Sequence, residues 1–184
     1  MLNRRHIRIK VLQAFYAFSQ SNNDDLRKGI NEFNLSINKT YDLYIYLIQI
    51  FIPLKRCANI KIEESKRSFL EKEDISFSKS FVDNQVIHQI ESSKVLEKVV
   101  NDSKISWVGD VENDLVKKLF KAIYNSESYQ EILLAENKSF ENQKLSIIKL
   151  FREEICNYDL LHHFFDEKSI YWQDDLDHVS SMII

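Results

Sequence analysis

The chain has 184 residues, 44% hydrophobic and 29% charged, which suits a soluble globular protein with one full core or two small subdomains. Two glycines and one proline are too few for a turn-rich β architecture or a Gly-rich phosphate loop, so long helices joined by short polar loops are expected. The formal net charge is −3, but it is unevenly spread: Arg4, Arg5, Arg8 and Lys10 fall in the first ten residues with no acid among them, leaving 21 bases against 28 acids behind them.

The basic start runs into Ile7, Ile9, Val11, Leu12, Ala14, Phe15, Tyr16 and Phe18 without a breaker, so it opens a helix, capped by Asn3 and ending near Gln20. At about 100° per residue Ile7, Val11, Ala14, Phe15 and Phe18 share one stripe, with Arg4 and Arg8 at its edge. Ile9, Leu12 and Tyr16 form a second apolar patch around Arg5, and His6, Lys10 and Gln13 take the remaining side. Such a helix is expected either at the centre of a bundle or with its second patch covered by another chain.

Asp24 or Asp25 starts a long second helix carrying Leu26, Ile30, Phe33, Ile37, Tyr41, Tyr44, Leu47, Ile48 and Phe51 at helical spacing. Gly29 weakens its first turn, and Pro53 ends or bends it. A third helix is expected over about Leu54–Leu70. Glu71–Ser80 reads as a polar connector, which divides the chain into an N-terminal helical subdomain (1–70) and a further helical region (71–184). Shorter amphipathic helices are expected over Phe81–Ile90, Ser92–Asn101, Val111–Asn125, Ser128–Glu136, Phe140–Cys156, Asp159–Phe165 and Asp174–Ile184, with a break from Lys104 to Asp110. The predicted class is an all-α multi-helix bundle. Val179 to Ile184 close the chain on an apolar pattern, which predicts a fragment of something longer whose end, from about Asp174, frays or self-associates.

No stretch approaches the roughly 18 apolar residues of a membrane span. No signal-peptide region opens the chain, and Cys57 and Cys156 lie in no metal spacing. A soluble, cytoplasmic protein with free thiols is expected. His162 and Asp166, with His163 beside them, form an i, i+4 pair that lacks a third metal ligand. No Gly-flanked nucleophilic serine appears, Trp172 reads as a core anchor, and neither an enzyme, a cofactor nor a metal is expected. The basic tip remains as an anion site: guanidinium forks suit phosphate, and Tyr16, two turns on from Arg8, offers a hydroxyl or a stacking face.

The run Arg4-Arg5-His6-Ile7-Arg8-Ile9-Lys10-Val11-Leu12-Gln13-Ala14-Phe15-Tyr16 resembles the opening of the bacterial transcription antitermination factor NusB family. Its Gln-Ala-aromatic-Tyr signature is matched by Gln13 to Tyr16. Asp42 to Leu47 resembles the family's second helix. Phe81-Val82-Asp83-Asn84 and Ser169 to Leu176 are similar to the longer form of the family found in Bacteroidetes; the family's second half, with its Phe-x-Asn-Gly-x-Leu-Asp close, is absent. The resemblance implies an all-helical, non-enzymatic RNA-binding protein. It would recognise boxA-type single-stranded RNA together with NusE, a small-subunit ribosomal protein, within the transcription elongation complex. Carried over by position, Arg4, Arg5, Arg8 and Lys10 would meet RNA, and Tyr16 would lie near the RNA and partner surface. The rival expectation is a helical protein-interaction module whose basic tip docks an acidic protein surface, with Ile9, Leu12 and Tyr16 as its interface.

Overall fold

In the computed structural model, which describes residues 3–21, 25–67, 79–135 and 139–184, helix follows helix throughout. α1 (Arg4–Gln20) starts as expected: the Asn3 side chain accepts the His6 N–H at 2.8 Å. α2 (Leu26–Gln49) is capped by Asp25, whose carboxylate accepts the Arg27 N–H, so Gly29 does not delay its start. α3 (Phe51–Arg67) begins three residues earlier than expected. The chain turns at Ile50, and Pro53 sits inside the first turn of the new helix, where a missing N–H leaves no bond unmade. The connector predicted over Glu71–Ser80 lies outside the described residues except at its last two positions, which begin a helical turn over 79–82.

Asn84, fully buried, caps α4 (Gln85–Ser92), and Ser93 caps α5 (Lys94–Ser103). The predicted break at Lys104 is real: its backbone is left-handed at φ 54°, closing α5. α6 (Asp110–Tyr124), α7 (Glu127–Leu134), α8 (Phe140–Leu150), α9 (Asp159–Lys168) and α10 (Leu176–Ile183) complete the order. α8 widens into a π turn over Phe151–Ile155, marked by the Cys156 N–H donating to the Phe151 carbonyl at 2.9 Å.

α2 is the spine. It packs on α1 and α10 and also meets α3 and α5. One buried cluster joins Leu43, Leu47, Ile50 and Leu54 to Phe81, Leu119, Tyr129, Phe151 and Phe165, drawing from both sides of the boundary expected near residue 71. The non-helical strap 105–108 is tied to α2: Tyr46 Oη donates to the Ser106 carbonyl (2.8 Å), and Trp107 Nε1 donates to the Tyr46 carbonyl (3.0 Å). Tyr46, Trp107, Phe165 and Trp172 then pack edge to face around one another. The anchor role expected of Trp172 is visible, for it is buried and donates its indole N–H to the Lys39 carbonyl at 2.7 Å.

One expectation is overturned. α1 is not the centre of the bundle but lies along one side of it. Only His6 and Lys10 of its residues are buried, while Val11, Leu12, Phe15 and Tyr16 face outward. At the apolar close, Leu176 and Val179 of α10 are buried, Met182 and Ile183 are half-buried, and Ile184 is exposed. Among the described residues no helix is long and apolar enough to cross a membrane.

Candidate functional site

Two faces of α1 matter, and they do opposite things. At about 100° per residue Arg4, Phe15, Arg8, Leu12, Arg5 and Tyr16 fall within an arc of roughly 120°. All six are exposed, the three apolar ones at 67–69%. Helix α1 contains no acid, and none of its arginines is held in an ion pair within the described residues, so three guanidinium forks stand free beside two aromatic rings. Ile9, expected at a partner surface with Leu12 and Tyr16, is exposed at the margin of this arc.

The opposite face is a buried polar knot. Lys10 Nζ lies 2.8 Å from Asp175 Oδ2 and donates to the Tyr171 carbonyl at 3.1 Å. Thr40 Oγ1, from α2, donates to the same carboxylate oxygen at 2.6 Å. His6 Nε2 comes within 3.3 Å of Asp175 Oδ1, but the two are not aligned for a hydrogen bond. The His6 ring stacks on His178, centroids 3.9 Å apart and planes 8° from parallel. Lys10 is 4% exposed and Asp175 1%. Burial holds the His6 imidazole below its ordinary value; Asp175 pulls the other way, and His178 and Lys10 add to the lowering.

This knot corrects one expected role. Lys10 does not share the surface of Arg4, Arg5 and Arg8. Its ammonium is desolvated against Asp175, where a nucleic-acid phosphate cannot reach it. Sequence reasoning missed Asp175, Thr40 and His178 altogether. Nothing local distinguishes Asp175 from Asp174 or Asp177. A signal was present in α1, where His6 and Lys10 stand at i, i+4 on the one narrow polar stripe of an otherwise apolar and arginine-bearing helix.

Between α1, α2 and the 170–174 turn lies an open groove of about 610 Å³, with Ala14, Ala17 and Phe18 along one wall and Tyr171 opposite. Two bonds tie the turn to the helices: Tyr171 Oη donates to Glu32 of α2 (2.7 Å), and Gln13 Nε2 of α1 donates to Asp174 (3.1 Å). His162, weighed as a metal ligand, instead places Nε2 2.6 Å from the Cys156 carbonyl while His163 faces solvent. No group of three or more His, Cys, Asp or Glu among the described residues is arranged to hold a metal. Burial raises both thiols, Cys57 and Cys156, above their ordinary range.

No protein family, curated protein or solved structure matches the chain significantly.

Proposed function

We propose that the protein is a non-enzymatic, NusB-like antitermination factor of the cytoplasm, which binds boxA-type single-stranded RNA with NusE through the outer face of α1. The observation that carries this reading is the free, acid-less arc of Arg4, Arg5 and Arg8 beside Phe15 and Tyr16. Guanidinium forks neutralise phosphates, and flanking rings offer platforms for unstacked bases, which single strands expose and duplexes do not. The match of Arg4 to Tyr16 to the family's opening supplies the particular RNA and partner. The exposed apolar members of the same face, Ile9 and Leu12, support the second reading, a protein-docking helix.

Salt dependence separates them from chance attraction. Each phosphate neutralised on a single strand contributes about −0.7 to the slope of log K against log salt, so three arginines give a slope near −2. Arg5→Ala or Arg8→Ala is expected to move it by about 0.7 toward zero, as read by fluorescence anisotropy with a labelled boxA oligonucleotide. A slope near zero, or one indifferent to all three arginines, would sink the RNA reading. Excess boxA RNA that leaves a bound protein partner in place would show that protein docking uses a separate surface.

A further inference from the structure

We propose that the stacked His6–His178 pair is a proton-operated latch, which holds α1 on α2 and α10 at neutral pH and releases it on acidification. The inference rests on the buried side of α1 and is independent of what its arginine face binds.

The knot sets one ammonium, Lys10, against one carboxylate, Asp175, beside two stacked imidazole rings. Of the Asp175 oxygens, Oδ2 is taken by Lys10 and Thr40, while Oδ1, on the His6 side, has no hydrogen-bond partner. A proton added to the buried His6 ring places a second positive charge near Lys10 in a desolvated site, with Asp175 the one carboxylate facing it. The groups acting on His6 are Lys10 from its own helix and Asp175 and His178 from the start of α10, while α2 contributes the uncharged Thr40 and Ser36 hydroxyls. Asp177, beside His178 in sequence, faces solvent. Both ring Nε2 atoms are buried without a hydrogen-bond partner; Asp175 Oδ1, also unpartnered, lies 3.3 Å from His6 Nε2 out of line, and His178 Nε2 has no acceptor within reach. Stacked face to face, two imidazolium rings also repel.

The direction follows from linkage. In a released α1 the His6 ring titrates near its ordinary value of about 6.5, whereas docked it titrates lower. The released state therefore binds protons more readily. Docking is at full strength above about pH 6.5 and weakens as pH falls from there toward the docked value. Release need not unfold the rest, because the large buried cluster contains no residue of α1.

Amide hydrogen exchange on the whole chain, corrected for intrinsic rates, tests this between about pH 7.5 and pH 5.5. Protection across α1 is expected to fall by up to about tenfold per pH unit for each proton taken up, while α6 and α8 stay protected. The other three histidines serve as internal controls: His88 and His163 are exposed, and His162 is engaged at Cys156. The variant His6→Phe keeps a stacking ring and removes the proton site, so it should flatten the pH slope; adding His178→Phe should leave it flat. Wild-type protection in α1 that is flat over this range overturns the latch. So does loss in step with α6 and α8, or a pH slope that survives both substitutions. The wild-type measurement decides the matter if a variant fails to fold.

Discussion

Asp175 occupies the N-cap of α10, yet its carboxylate caps nothing there; it reaches across to Lys10 and Thr40 instead. A buried ion pair of this kind resists the loss of either half more than the loss of both, because a lone charge is left where water cannot reach it. Lys10→Met and Asp175→Asn are each expected to cost about 3–5 kcal/mol in urea unfolding, and the double variant distinctly less than their sum. Additive costs would mean that the pair carries no special coupling. At this scale the sequence is readable where chemistry is local, as with Asn3 capping α1 and Lys104 closing α5. It is silent where a partner lies far along the chain: the bond between Lys10 and Tyr171 spans 161 positions.

At the scale of single helices, periodicity located nearly every element but did not tell which way α1 faces. Its apolar residues cover most of its circumference, so their spacing alone cannot say which side is inward. The choice fell to His6 and Lys10 because a matching carboxylate waits at the start of α10. Packing between α1 and α2 depends on close approach at Gly29, where an added Cβ would stand 2.9 Å from Cδ2 of the half-buried Phe18 ring. A glycine inside a helix ordinarily yields up to about 1 kcal/mol when replaced by alanine. Gly29→Ala is expected to forfeit that gain, leaving stability unchanged or lower by thermal melting. Phe18→Leu, which removes the ring, should restore part of the benefit; full stabilisation by Gly29→Ala alone would show that the ring moves aside freely. The exposed arginine arc was legible as residues and not as a surface, since its separation from Lys10 required knowing which way the helix faces.

Across the molecule, the all-helical class followed from scarce glycine and proline, and the structure has it. The division near residue 71 is a different matter. Polar composition marks a connector, but it does not report whether the helices on either side share a core, and here Leu47, Leu119 and Phe165 belong to one cluster. Unfolding is therefore expected to be a single cooperative transition. Fluorescence from Trp107 and Trp172, both packed on Tyr46, should coincide with the far-ultraviolet loss of helix. Leu119→Ala, at a position with no solvent exposure, should lower stability by about 2–5 kcal/mol without splitting that transition. Two separated transitions would show that the halves fold apart.

The Lys10–Asp175 knot also has a consequence in time. A ribosome adding about 5–20 residues per second needs roughly 8–30 s to travel the 161 positions from Lys10 to Tyr171. Throughout that interval the newborn α1 has no carboxylate to sit on, and its lysine, its imidazole and its arginines all face the surroundings together. The helix thus begins life as an undivided basic segment and acquires its two faces only when the last turns of the bundle arrive to claim one of them.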